Sequence, residues 1–222
     1  LLSGLHPRQH ELQDVSARLP EAAPLLPRAA RHTGVRAAMF TGVPTTFAAF
    51  GFNAGWQHFE QLSPVADLAA AEPLRRGAAW LKSQMREAPD QRRLLVVHLR
   101  GGHPPWDLRR DDVASLPPKE YGGPLDARRG GIVLGQLRAQ KRPQNRHLSE
   151  EDWVRFDALR AAAMVDQSRA LGEFMDMLNQ ADVWNETLVV LVGDVGEIDR
   201  PALPFDPDRK STRLNSSHRL TS

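Results

Sequence analysis

Three short runs, residues 35–40, 94–99 and 187–192, are dominated by Val, Leu, Ala, Met and Phe, and each is too short for an ordinary helix. Continuous apolar character suits a strand covered on both faces, as in a parallel sheet, rather than one with a solvated face. Parallel neighbours need a crossover, and helical stretches lie between the runs. One is expected over residues 22–31, stopped by Thr33-Gly34. Another covers 66–87, restarted at Pro73 and broken at Pro89-Asp90. The clearest opens at Ser149, with Asp152 three residues on and a stripe of Phe156, Leu159, Ala163, Leu171, Phe174, Met175 and Leu178. That stripe is a packing face and carries no chemistry. The expected class is α/β, a mostly parallel sheet flanked by helices. Residues 101–147, rich in Gly, Pro and Arg, read as a long loop region over the sheet edge.

Charge and composition exclude several functions. The formal net charge is +2, yet residues 209–222 hold Arg209, Lys210, Arg213 and Arg219 and no acid. Removing those four from 29 basic residues leaves 25 against 27 acidic ones, a net of −2. The body therefore has no basic excess of the kind that binds a phosphate backbone, and no nucleic-acid partner is expected. The tail has no amphipathic period and reads as translated adapter sequence, so the domain is taken as 1–208 with 209–222 non-native or disordered. No run approaches the ~18 apolar residues of a membrane span. Cysteine is absent, which removes disulfides, thiolate ligands and a cysteine nucleophile from these residues. The chain has no initiator Met, and Leu1-Leu2-Ser3-Gly4 reads like the end of an element, so upstream sequence is expected.

In open α/β sheets ligands gather beyond the carboxyl ends of the strands. Two strand exits carry suitable groups. The third run leads into Gly193-Asp194-Val195-Gly196-Glu197, where a carboxylate on rigid backbone could serve as a hard oxygen ligand. The same placement serves a helix cap or a turn equally well. The second run leads into Arg100-Gly101-Gly102-His103-Pro104-Pro105-Trp106, where His103 could hydrogen-bond a substrate oxyanion or donate a proton. An ordinary surface histidine is the competing reading. His98, inside the run, reads as a structural core or edge histidine.

The order of these segments resembles the sulfatase family of the alkaline-phosphatase superfamily. Leu1-Leu2-Ser3-Gly4 with Pro7 and His10 is similar to the stretch that follows the family's nucleophile. Residues 19–40 look like its next helix and strand, and Gly51-Phe52 through Phe59 resembles its glycine-phenylalanine stretch. His103-Pro104-Pro105-Trp106 resembles its histidine-x-proline-tyrosine loop. Asp166, Gly172, Leu178, Thr187 and then Asp194-Val195-Gly196-Glu197 follow the pattern ending in aspartate-histidine-glycine-glutamate.

The resemblance implies an incomplete alkaline-phosphatase-like fold and a metal-dependent sulfuric ester hydrolase. It implies a divalent cation, calcium first and magnesium second, with Asp194 as a metal ligand and His103 as the catalytic acid or substrate contact. The implied substrate is a small-molecule or glycan sulfate ester, and the implied location is periplasmic, extracellular or membrane-attached. Three departures stand against full activity. The family's nucleophile motif and acidic first strand would fall before Leu1. Val195 stands where the family has His or Asn. Thr41-Gly42-Val43-Pro44 replaces a glycine-lysine-tryptophan-histidine segment. The alternatives are a degenerate anion-binding or interaction module, or a phosphoester hydrolase or transferase of the same superfamily.

Overall fold

The computed structural model describes residues 2–10, 17–62, 71–106, 108, 110–126 and 148–193. In chain order the helices and strands are α1 (Pro7–His10), α2 (Leu26–His32), β1 (Arg36–Thr41), β2 (His58–Gln61), α3 (Glu72–Glu87), β3 (Arg93–His98), α4 (Arg110–Ala114) and α5 (Glu150–Gln180). Among the described residues the strands form one sheet of order β2-β1-β3, and both pairings are parallel. The α/β class expected from the apolar runs is therefore observed.

β1 is central, and its side chains from Ala37 to Thr41 are buried. Successive side chains on a strand point to opposite faces, so Ala38 and Phe40 share one face. The register sets Ala38 beside Leu95 and Phe40 beside Val97, which extends that face onto β3. Helix α3 covers it. Phe40 and Trp80 lie 6.5 Å apart between ring centroids. A Cβ built at Gly77 would stand 3.1 Å from Val97 Cγ2 and 3.3 Å from Leu95 Cδ1. Glycine inside a helix costs about 1 kcal/mol relative to alanine, so its value here is the close approach of helix to strand.

Helix α5 starts where the sequence placed it. Ser149 accepts from the Asp152 N–H at 3.1 Å, and Asp152 accepts from the Ser149 N–H at 2.8 Å, which completes a capping box. Its C-terminal half packs Ala170, Leu171 and Phe174 against Ala71 and Leu74 of the α3 end and Val97 and Leu99 of the β3 end. Its N-terminal half builds a second core away from the sheet, where Trp153, Phe156, Leu159 and Ala163 meet Trp106, Leu108 and Leu125. Trp106 meets Phe156 edge to face at 5.4 Å. The described part of the 101–147 loop region is thus packed on α5, with a short helix of its own.

Other expectations shift. Helix α2 begins at Leu26 rather than residue 22, because Pro27 supplies the fixed φ that opens a first turn. Residues 66–70, expected within a helix, lie outside the described residues, and α3 opens at Glu72 with Pro73 in its first turn. Strand β2 was not foreseen, because His58–Gln61 has a polar sequence and sits at the sheet edge. The third apolar run is a correction. Residues 187–192 pair with no strand among the described residues, and Leu188, Val190, Leu191 and Val192 are exposed, Leu188 by 88%. Apolar composition gives a segment the surface to bury, but a strand also needs a ladder partner for its backbone.

The packing at Gly77 yields a direct test. Gly77→Leu should lower unfolding free energy by about 1–3 kcal/mol, read by urea denaturation, because the Val97 and Leu95 side chains leave no room for the added side chain.

Candidate functional site

The carboxyl ends of β1 and β3 lie side by side, since the register pairs Thr41 with His98. The Gly42 N–H continues the ladder to the His98 carbonyl at 3.0 Å. A 3-10 turn at Pro44–Thr46 then folds back over this edge. Thr46 Oγ1 lies 2.6 Å from Thr41 Oγ1 and 3.2 Å from His98 Nδ1, and donates to the Val43 carbonyl at 2.9 Å. Thr41 Oγ1 in turn accepts from the Val43 N–H at 3.1 Å. His98 is therefore a hydrogen-bonded edge histidine, in line with its sequence reading. Two hydroxyls and an imidazole occupy this edge, where Thr41-Gly42-Val43-Pro44 stands in place of the lysine- and histidine-bearing segment of the resemblance.

Beyond β3 the chain turns sharply. Gly101 has φ +60°, a conformation that side-chain-bearing residues rarely adopt, and the His103 N–H closes the turn onto the Arg100 carbonyl at 3.1 Å. His103 is exposed, one turn past the carboxyl edge. Burial pushes the Arg100 guanidinium down to about 10, which still leaves it a cation at neutral pH. Arg100 is a residue of this edge that its motif alone does not single out. Its position directly after an apolar strand was the available signal. Trp106 ends this segment as a fully buried anchor, its Nε1–H donating to the Gly102 carbonyl at 2.8 Å.

The following stretch is held to the start of α5 by a polar cluster. Arg155, nearly buried, donates to the Leu116 carbonyl at 2.8 Å and the Val113 carbonyl at 2.9 Å, and its guanidinium stands 5.3 Å from the Tyr121 ring centre. The Tyr121 hydroxyl donates to Asp152 at 2.5 Å and accepts from the Leu125 N–H at 3.1 Å. Burial, reinforced by the bond to Asp152, pushes the Tyr121 hydroxyl up to about 12. Burial works against the Asp152 carboxylate, but the bonds from Tyr121 and Ser149 outweigh it and hold that carboxyl below its usual range. This cluster anchors the loop and does not reach the carboxyl edge of the sheet.

The structure thus places His103 on the turn closed onto Arg100 beyond the end of β3, while Thr41, Thr46 and His98 are joined by hydrogen bonds where β1 and β3 end. Asp194 and Val195 lie outside the described residues, as does the tail 209–222. Among the described residues no group of three or more His, Asp or Glu side chains could hold a metal ion. A hard divalent cation takes about six or more oxygen ligands, so Asp194 could supply only a small part of such a set. The described residues therefore do not by themselves fit a metal site.

The sequence matches the sulfatase family model over residues 1–219. The chain belongs to the sulfatase family. Among solved structures it is similar to the phosphonate monoester hydrolase of Agrobacterium radiobacter, with a TM-score of 0.56 at 14% identity. That match covers 83% of this sulfatase-family chain and 49% of the hydrolase, so the chain spans about half the length of that neighbour. A second match is the lipoteichoic acid synthase LtaP from Listeria monocytogenes, at 16% identity and a TM-score of 0.42, covering 83% of this chain and 38% of that one. No curated protein sequence matches it. The fold expected from the resemblance, alkaline-phosphatase-like and present in part, is the fold observed.

Tyr121 offers a clean pH test because it is the chain's one tyrosine. Its hydroxyl is held protonated to a higher pH than in the unfolded chain, where it titrates near pH ~10. The stability it contributes is therefore complete below that value and declines as pH rises toward about 12. Urea unfolding across this interval should show a steeper loss of stability in the wild type than in Tyr121→Phe, with tyrosinate absorbance appearing over the same pH range.

Proposed function

We propose that this chain is part of a metal-dependent sulfuric ester hydrolase in which His103 faces the ester and Asp194 is one ligand of a divalent cation, calcium or magnesium. The observation that carries this reading is the placement of His103 on a turn just beyond the carboxyl end of β3, in a chain of the sulfatase family. Ligand sites in open α/β sheets lie at that end.

The chemistry asks for three things. Hydrolysis of a sulfate monoester adds water across the S–O bond, so a nucleophilic oxygen must reach sulfur while the departing oxygen gains a proton. A positioned imidazole can donate that proton or a hydrogen bond to it, a contribution of typically ~10²–10⁴-fold in rate. Arg100 adds a permanent positive charge beside the same turn, favouring an anionic ester. In a complete family domain Asp194 would supply one oxygen ligand to a divalent cation, whose charge would offset that of the ester. The nucleophile motif and an acidic first strand are not found in these 222 residues. By itself the chain should accordingly lack turnover.

A second reading is an anion-binding member without catalysis. Val195 beside Asp194 favours it, since a valine can neither ligate nor donate. Calcium and sulfate titrations on a protein containing the whole family domain separate the two. Metal-dependent turnover supports the hydrolase, whereas sulfate binding without turnover supports the binding module.

The direct test on this chain is an aryl sulfate assay with added calcium or magnesium. The expected result is no hydrolysis above the buffer rate, and sustained hydrolysis would overturn the proposal that the chain is inactive alone. A phosphonate or phosphate monoester tested in parallel asks whether the ester class is sulfate.

A further inference from the structure

Gln167 lies in the middle of α5 and is only 6% exposed. Its carboxamide meets both backbone groups of one residue. Oε1 accepts from the Gly101 N–H at 3.1 Å, and Nε2 donates to the Gly101 carbonyl at 2.7 Å. Nε2 also donates to the Ala163 carbonyl, one helical turn back, at 3.0 Å. Both amide hydrogens and the amide oxygen are therefore used. A carboxamide presents a donor and an acceptor spaced like a peptide group, which is why it can pair with a residue's own N–H and C=O together. Glutamate and methionine lack part or all of that pairing, and asparagine is one methylene shorter.

Gly101 is two residues before His103 and forms the left-handed corner of the turn. The turn is closed by His103 onto Arg100 and anchored at its far end by Trp106. The neighbouring residue on α5, Asp166, accepts from Arg75 Nη2 of α3 at 3.0 Å. One turn of α5 thus grips both the helix over the sheet and the loop beyond it. Gln167 occupies a position between Ala163 and Ala170 on the buried face, where packing alone would favour an apolar residue. A buried amide there is costly unless its bonds are made, and those to Gly101 and Ala163 are what allow it.

We infer that Gln167 is a positioning residue that sets the place of the His103 turn through Gly101. The task given to His103 rests on the function proposed above, while the placement of the turn does not. In the isotopically labelled chain, amide exchange at Gly101 and the ring resonances of His103 report the clamp directly. Gln167→Met should speed Gly101 exchange by about tenfold or more relative to the amides of β1 and shift the His103 ring resonances. Gln167→Glu should shift the same signals from their wild-type values at neutral pH, where a carboxylate faces the Gly101 carbonyl, and return them to the wild-type values recorded at the same low pH, where the protonated acid regains a donor. Asp166→Asn, one residue away, should leave Gly101 exchange unchanged.

Wild-type exchange and ring shifts in Gln167→Met would overturn the inference. If that variant does not fold, Gln167→Glu decides: signals that match the wild type at neutral pH, or that fail to recover at low pH, overturn it. Adding phenyl sulfate to the wild type addresses the functional reading separately. Unmoved His103 resonances would count against an ester-facing role and leave the Gly101 result standing on its own.

Discussion

The burial of β1 is the constraint on which the other elements depend. Both of its edges are paired, to β2 and to β3, and its side chains from Ala37 to Thr41 are removed from solvent. A one-residue slip would turn every side chain of a strand to the other face. Here that would take Phe40 away from Trp80 and Ala38 away from the face it shares with Leu95. The same register brings Thr41 opposite His98, so the packing that defines the core also assembles the carboxyl edge of the sheet.

From that edge outward, order is passed on by polar contacts. The Thr41, Thr46 and His98 side chains tie the turn after β1 to the end of β3. The turn after β3 is held by Gln167 and Trp106, both reaching backbone carbonyls. Farther along, Arg155 and the Tyr121–Asp152 pair hold residues 113–125 on the first turns of α5. Helix α5 is therefore more than a cover for the sheet. Its first half supports the loop through a separate core, and its second half packs on α3 and β3. The glycines of this loop lose much conformational entropy on ordering, and these buried bonds offset that cost.

Much of the architecture was legible because its signals are local. Ser149 and Asp152 mark the start of α5 through a reciprocal pair three residues apart, and the runs at 35–40 and 94–99 are strands for the reason their composition suggests. β2 was hidden because an edge strand needs no apolar sequence. The run at 187–192 was misread because composition carries no information about a pairing partner. Gln167 was equally hidden, since an amide inside a helical stripe looks like an interruption until Gly101 is seen opposite it. His103 could be nominated from its place after a strand, and the contact of Gln167 with Gly101 two residues before it could not.

The sequence by itself determined the α/β class, the helix that begins at Ser149, the strand ends where chemistry could gather, and the resemblance to sulfatases. These follow from periodicity, capping and motif order, all of which are written along the chain. Tertiary structure alone decided that Thr41 and His98 share an edge, that α5 carries two cores, and that one buried amide holds the turn bearing His103. Those facts join residues as far apart as Gly101 and Gln167, and only the packing of α5 against the sheet and loop brings such residues within hydrogen-bonding distance.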